Sequence, residues 1–224
     1  MNQNRRDFLK SGLIGGSGML VACAAGSADS EMTLFDVIHK RRSVRKYLPT
    51  PVPQEHIEQI LDAARMAATA GNQQPWKFLV IRDRARIDAL KEACIQRSLA
   101  IAKQRGTPTE AQLEESRKRA TEYYTDILSA PVYIVVLTDN ESKYPTYSVH
   151  DGPLAAGNLM LAARALGYGT VYFTDSIPPD VTKDVLDIPD RYTRVCITPV
   201  GVPEEWPDTP DKKPLEEFIA YETL

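Results

Sequence analysis

The chain has 224 residues, 43% of them hydrophobic and 25% charged, with a formal net charge of -3. That length suits one globular domain with a sizeable core and is short for two. The acidic balance argues against a general binder of nucleic acid, so a local basic cluster is better matched to one small anion.

Residues 1–30, MNQNRRDFLKSGLIGGSGMLVACAAGSADS, have the layout of a secretory address. Arg5 and Arg6 stand in a polar start. Phe8, Leu9 and Lys10 follow, then a weakly apolar run from Gly12 to Ala22 that holds four glycines. The run is too short to span a bilayer as a helix. Arg-Arg-Asp-Phe-Leu-Lys resembles a twin-arginine export signal. Leu20 to Cys23 resembles a lipobox, which would make Cys23 a lipid-modified first residue. A simple small-residue cleavage site is the alternative. Ala24 to Ser30 would be a flexible tether. Loss of residues 1–22 removes three basic residues and one acidic residue, so the mature net charge would be about -5. The expected location is the periplasm or the outer face of the cell membrane, with a lipid anchor at Cys23. The twin-arginine route carries folded proteins, usually because a cofactor is inserted before export.

One folded domain is expected over 31–224. Thr33 can cap a short helix carrying Leu34, Phe35, Val37 and Ile38. The chain then reads KRRSVRKY at 40–47, with Lys40, Arg41, Arg42, Arg45 and Lys46 basic. Pro49, Pro51 and Pro53 break the pattern, and Pro53 suits the first position of the next helix. Ile57, Ile60, Leu61, Ala64 and Ala68 give that helix an apolar face. TAGNQQP is a loop, WKFLVIRD a strand, and 84–102 a helix with Ile87, Leu90, Cys94 and Ile95 inward. Residues 107–128 read as a solvated helix with Tyr123, Tyr124 and Ile127 packed down. APVYIVVLTD is a buried strand and YPTYSVHDG a loop. Pro153 to Leu166 is a helix apolar nearly all round, buried on most sides and stopped by Gly167. GTVYFTD is a strand, PDVTKDVLDI a helix and RVCITPVGVP a strand. The tail ends in an amphipathic piece.

This alternation of strand and helix implies an α/β or α+β layered domain. GxGxxG and GxxxxGK[ST] are absent, which disfavours the common nucleotide folds. GxSxG is absent too, so a serine hydrolase has no support. Cys23, Cys94 and Cys196 lie far apart with no CxxC spacing, which argues against zinc or a disulfide framework. Cys94 and Cys196 suit small buried positions. His39, His56 and His150 form no metal-ligand pattern.

Four blocks, in order, resemble the FMN-dependent nitroreductase family: RRSVRKY at 41–47, AATAGNQQPWKFLVI at 67–81, DGPLAAGNLMLAARALGYGTVYFTD at 151–175, and PVGVPEEWPDTPDKKPLEEFI at 199–219. The resemblance covers essentially all of the chain after the address. It implies an α+β, three-layer fold: a central mixed, mostly antiparallel sheet flanked by helices, in an intertwined homodimer with FMN at the subunit interface. Arg41 would bind the FMN phosphate, where a guanidinium pairs bidentately. Arg42 would contribute through its backbone, Ser43 would reach the ribityl-phosphate region, and Arg45 the pyrimidine edge of the flavin. Ala68, Thr69 and Ala70 would line the flavin, with Asn72 contacting it from the other subunit. Pro75 and Trp76 would be structural. Tyr172, Phe173 and Thr174 match the stretch beside one flavin face, and the Thr174 N–H would point at flavin N5. Thr174-Asp175 stands where many relatives carry Glu-Gly. Lys212, then Lys213, would reach the phosphate where relatives often have Arg.

The resemblance implies that hydride passes from NAD(P)H, or another donor, to flavin N5, and electrons then pass to a nitro-aromatic, a quinone or a similar small acceptor. No side chain need act as acid or base, and no metal is implied. Alternatives are the same fold with another flavin reaction, dehalogenation or flavin remodelling, fed by a non-nicotinamide donor, or a non-catalytic exported binding lipoprotein.

Overall fold

Residues 32–224 are described by the structure, a computed structural model; the expected export address and Cys23 lie outside the described residues. Helix α1, Leu34–Lys40, opens on a capping box in which Thr33 Oγ1 accepts from the Asp36 N–H and the Asp36 carboxylate accepts from the Thr33 N–H. Helix α2 spans Gln54–Ala64, with Pro53 one position earlier than expected, as the N-cap. Ile57, Ile60 and Ala64 are its buried face. Strand β1 is Trp76–Ile81. Helix α3, Arg84–Gln104, is capped by Asp83. Helix α4, Glu110–Ile127, opens on a second capping box, Thr109 with Gln112. Strand β2 is Val132–Asp139. Helix α5 is Ser148–Ala165, helix α6 is Pro179–Val185, and strand β3 is Tyr192–Val200.

The three strands form one antiparallel sheet in the order β1-β2-β3. Being central, β2 is apolar on both faces, and its residues divide by parity. Tyr133, Val135 and Leu137 join the core shared with α3, α4 and α6. Val132, Ile134 and Val136 join the core shared with α2 and α5. Helices therefore lie on both faces of the sheet, which is the expected three-layer α+β arrangement.

Several local expectations are corrected. GTVYFTD makes isolated bridges, Gly169 to Gly201 and Phe173 to Ile197, because part of it turns to another partner: Thr170 bridges Ser43 in parallel. That parallel bridge supplies the mixed character. Residues 148–152, expected in a loop, are the first turns of α5, with Pro153 inside the helix. Pro153 is the sixth residue of α5, so the helix forgoes one i→i−4 bond there, to the Val149 carbonyl. Tyr123 is exposed, since a helix turns about 100° between it and buried Tyr124. On α5, Ala155, Ala156, Leu159 and Ala163 are buried but Leu154 is exposed, so among the described residues one apolar face of that helix stays open. Gly167 ends the helix with a φ of 84°, as its position required.

Candidate functional site

The basic segment after α1 is extended, with two of its side chains turned into the core. Val44 and Tyr47 are buried, and the Tyr47 hydroxyl donates to the Val44 carbonyl at 2.6 Å. The Val44 N–H donates to the Thr170 carbonyl at 3.0 Å, which fixes the segment against the 169–173 stretch. Gly169 permits this approach, since a Cβ there would lie 2.7 Å from a Val44 methyl. With Val44 inward, Ser43 and Arg45 point the other way.

They point into a cavity of about 610 Å³ lined by Arg41, Arg42, Ser43, Arg45, Lys212 and Asp208, among others. The first and fourth sequence blocks thus meet, although 167 residues separate Arg42 from its tail partner Thr209. Arg42 spends its guanidinium on structure: it donates to the His39 carbonyl at 2.7 Å, the Arg41 carbonyl at 2.8 Å and the Thr209 hydroxyl. Four cationic side chains against one carboxylate make the cavity positive, with Arg41, Arg45 and Lys212 the donors for an anion. Lys213 does not line this cavity; it pairs with Glu217 at 3.2 Å along the tail. Lys46 pairs with Asp126 at 3.1 Å, outside the cavity.

Ala68, Thr69, Ala70 and Asn72 do not line the cavity within one chain. Their loop is held in an uncommon shape. Gly71, Asn72 and Gln74 have φ values of 54°, 53° and 49°, left-handed backbone that costs a non-glycine residue energy. Asp151, buried at the start of α5, offsets that cost by accepting from the Ala70 N–H at 3.1 Å and from Gln73 Nε2 at 2.6 Å. Gln73 also exchanges two hydrogen bonds with the Tyr144 backbone, at 2.7 and 3.1 Å. The sequence reading missed Gln73, Tyr144 and Asp151. A lone acid beside the apolar run of α5 is the one signal that could have found Asp151.

The 172–174 stretch divides. The Phe173 side chain is buried in the core on the α3 side of the sheet, so only its backbone can serve a ligand, a correction to its expected place on a flavin face. The cause is its exchange of two backbone hydrogen bonds with Ile197, which turns the ring inward. Tyr172 is half-buried and lines a separate cavity of about 370 Å³ with Arg194 and Thr138. Thr174 is exposed. Cys94 and Cys196 are free and buried, and burial pushes both thiols up to about 12. His56 is half-buried and shares a 2.7 Å hydrogen bond with the Tyr168 hydroxyl.

The Nitroreductase family model matches residues 38–202, which include the extended segment, the 68–74 loop and all three strands but not Lys212 or Lys213. A Methanothermobacter thermautotrophicus protein provisionally named NADH dehydrogenase/NAD(P)H nitroreductase is 30% identical over 199 residues, covering 84% of this chain and 90% of that protein. The iodotyrosine deiodinase of Thermotoga neapolitana is 29% identical over 194 residues, covering 85% of this chain and 98% of the deiodinase. The solved structure of a Desulfovibrio desulfuricans protein, provisionally named a nitroreductase and complexed with FMN, has a TM-score of 0.66 at 25% identity and covers 87% of this chain and 99% of its own. The family match spans well over half the chain, and the protein belongs to the nitroreductase family.

Proposed function

We propose that this protein is an FMN-dependent oxidoreductase that moves reducing equivalents from NAD(P)H, or another donor, to a small acceptor such as a nitro-aromatic or a quinone. The observation that carries this is the convergence of Arg41, Arg42, Arg45 and Lys212 on one cavity with a single carboxylate, Asp208. That donor set fits a phosphate monoester dianion, and the cavity is open enough to admit one attached to a larger group. When bound, FMN supplies the two-electron chemistry.

The chain's own residues supply position and charge. Arg41 offers a planar fork to the phosphate and Lys212 a point charge. The Ser43 hydroxyl serves the ribityl-phosphate region. Arg45 stands at the far end of the segment, where a cation favours negative charge on a reduced ring. The Thr174 N–H meets the flavin edge.

A second copy completes the site. The 68–72 loop is shaped and pinned but does not line its own chain's cavity. Phe35 on α1, Leu154 on α5, and Leu215, Phe218 and Tyr221 in the tail are exposed, more apolar surface than a lone subunit usually leaves open. A homodimer would bury these faces and bring the partner's loop to the flavin.

A second reading, reductive dehalogenation of a halogenated phenol, is favoured by the likeness to the Thermotoga neapolitana deiodinase, which this chain covers almost from end to end. One experiment separates the two. Holoprotein is titrated anaerobically with NADH and with NADPH while flavin absorbance is followed. The reduced protein is then offered a nitro-aromatic, a quinone and a halotyrosine, and reoxidation and halide release are measured. Reoxidation by the first two supports the main reading, and halide release the second. Protein that is colourless and stays so after FMN is added overturns both.

Export and lipid anchoring rest on residues 1–30 as sequence alone. Fractionation of cells expressing the wild type, Arg5→Lys/Arg6→Lys and Cys23→Ala tests them. Retention of the double variant in the cytoplasm is expected, as is loss of membrane attachment for Cys23→Ala. Wild-type protein in the cytoplasm would overturn the reading.

A further inference from the structure

Strand β3 does not run regularly past β2. Val136 faces Cys196 and Leu137 faces Arg194, so Val195 is an extra residue, a β-bulge. On a regular strand residues 194 and 196 would share a face. The bulge breaks that parity. Val195 and Cys196 both pack on the α2/α5 side of the sheet, and Arg194 turns to the α6 side. There Nη1 donates to the Ile177 carbonyl at 2.7 Å and to Thr182 Oγ1 at 3.0 Å, and Nη2 donates to the Thr174 carbonyl. One rigid guanidinium fork thus ties three points between Thr174 and α6.

The tie has a consequence at Thr174. The Phe173 carbonyl accepts from the Ile197 N–H at 3.1 Å, and the Thr174 carbonyl is held by Arg194. Planarity of the 173–174 peptide sends the Thr174 N–H opposite to the Phe173 carbonyl, away from β3, while Arg194 fixes the 174–175 peptide, so Thr174 is held from both sides. Among the described residues that N–H has no acceptor, and Thr174 is exposed. Keeping Arg194 here is costly. Its Nε is buried without a partner, burial pushes its pKa down, and among the described residues no carboxylate forms a direct ion pair with it. An apolar residue would pack at lower cost but could not hold the loop.

We propose that Arg194, re-aimed by the bulge at Val195, is a positioning residue for the flavin: by holding the Thr174 carbonyl it fixes the peptide that follows Thr174, so that the Thr174 N–H, oriented by the Phe173–Ile197 pairing, stays at the isoalloxazine edge, and it keeps a positive charge beside that loop. The proposal rests on the FMN reading above.

Wild type, Arg194→Met and Arg194→Lys holoproteins are compared by FMN dissociation constants in the oxidised and reduced states and by midpoint potential. Arg194→Met should weaken binding of reduced FMN about tenfold more than oxidised FMN, a midpoint lowered by about 30 mV for a two-electron couple. Arg194→Lys keeps the charge without the fork and should recover only part of that shift. Full recovery by Lys would mean that charge alone matters, and no shift in either variant would mean that Arg194 only supports the fold; each overturns the proposal. Should neither variant fold, Thr182→Val removes one acceptor and leaves the arginine in place. It should lower the midpoint potential in the same direction by a smaller amount, and an unmoved midpoint would overturn the lock. Wild type that binds no FMN would overturn the flavin reading and this proposal with it, whereas bound FMN with an unmoved potential overturns this proposal alone.

Discussion

Asp151 and Gln73 are joined by a 2.6 Å hydrogen bond that ties the buried first turn of α5 to the left-handed 68–74 loop. The second Asp151 oxygen takes the Ala70 N–H at 3.1 Å, so one carboxylate satisfies two donors of one loop. Asp151→Ala leaves both unpaired in a partly buried place, at a cost of about 1–3 kcal/mol. Asp151→Asn keeps one acceptor oxygen and should cost less. Urea unfolding measures both, and FMN affinity should fall in the same order. Equal stability of Ala and wild type would show that water replaces the carboxylate there.

The basic cluster should divide under substitution. Arg41 faces the cavity, whereas Lys46 is engaged with Asp126 at 3.1 Å on the surface. Arg41→Ala removes a charge-assisted pair to phosphate, about 1.5–3 kcal/mol, which is roughly 10- to 100-fold in FMN dissociation constant. Lys46→Ala loses only an exposed ion pair and should leave FMN affinity within about twofold. Equal losses at both positions would return the segment to generic surface charge. Arg42→Ala should act differently, by freeing Thr209 and the tail.

Much of this arrangement was legible because it is local. The Thr33 cap and the burial of β2 on both faces follow from local pattern, whereas Ser43 and Arg45 were assigned to the ligand only through family likeness. The meeting of Arg41 with Lys212 was reached only through family likeness, since nothing between them encodes the approach. Two features left no trace in pattern. A bulge such as that at Val195 depends on what two strands do together, so Arg194 reads as an ordinary polar residue of a strand. The inward turn of Phe173 depends on its pairing with Ile197, 24 residues later in the chain. Long-range hydrogen bonding decided both, and single-sequence propensity does not see it.

Gly71 should resist substitution for two separable reasons. Its φ is 54°, and a Cβ there would lie 2.6 Å from a ring carbon of Tyr144. Gly71→Ala meets the left-handed backbone penalty of about 1–2 kcal/mol and the ring as well. Tyr144→Ala added to it should relieve the second cost and not the first. A double-mutant cycle by denaturant unfolding gives the split. Strict additivity would mean that the ring simply swings away.

The buried thiols set an alkaline limit. Cys94 and Cys196 have folded pKa values pushed up to about 12 by burial, against about 8.5 in an unfolded chain. A raised folded pKa means that folding favours the neutral thiol. The contribution is complete below about pH 8.5 and is lost as pH climbs towards 12. Buried Tyr133 shifts in the same direction. Stability measured in urea should therefore fall above about pH 9, with a shallower fall in Cys196→Ala. At pH 8 an alkylating reagent should label neither thiol until the protein unfolds. Rapid labelling of either one in native protein would contradict the burial.

The tail offers the sharpest test of a shared site. Leu215, Phe218 and Tyr221 are 67%, 69% and 82% exposed, although each would gain about 1.5–3 kcal/mol if buried. Among the described residues nothing covers them, and the proposed homodimer would. Deleting residues 214–224 keeps Lys212 but removes all three. Full-length protein should sediment as a dimer at micromolar concentration, and the deletion should weaken association by at least about 100-fold, since one such side chain alone accounts for roughly tenfold. If the partner's 68–72 loop completes the flavin site, FMN should also leave the deletion variant on dilution, in step with dissociation of the subunits. A full-length monomer that holds FMN at every dilution would place the whole site on one chain and remove the need for the partner.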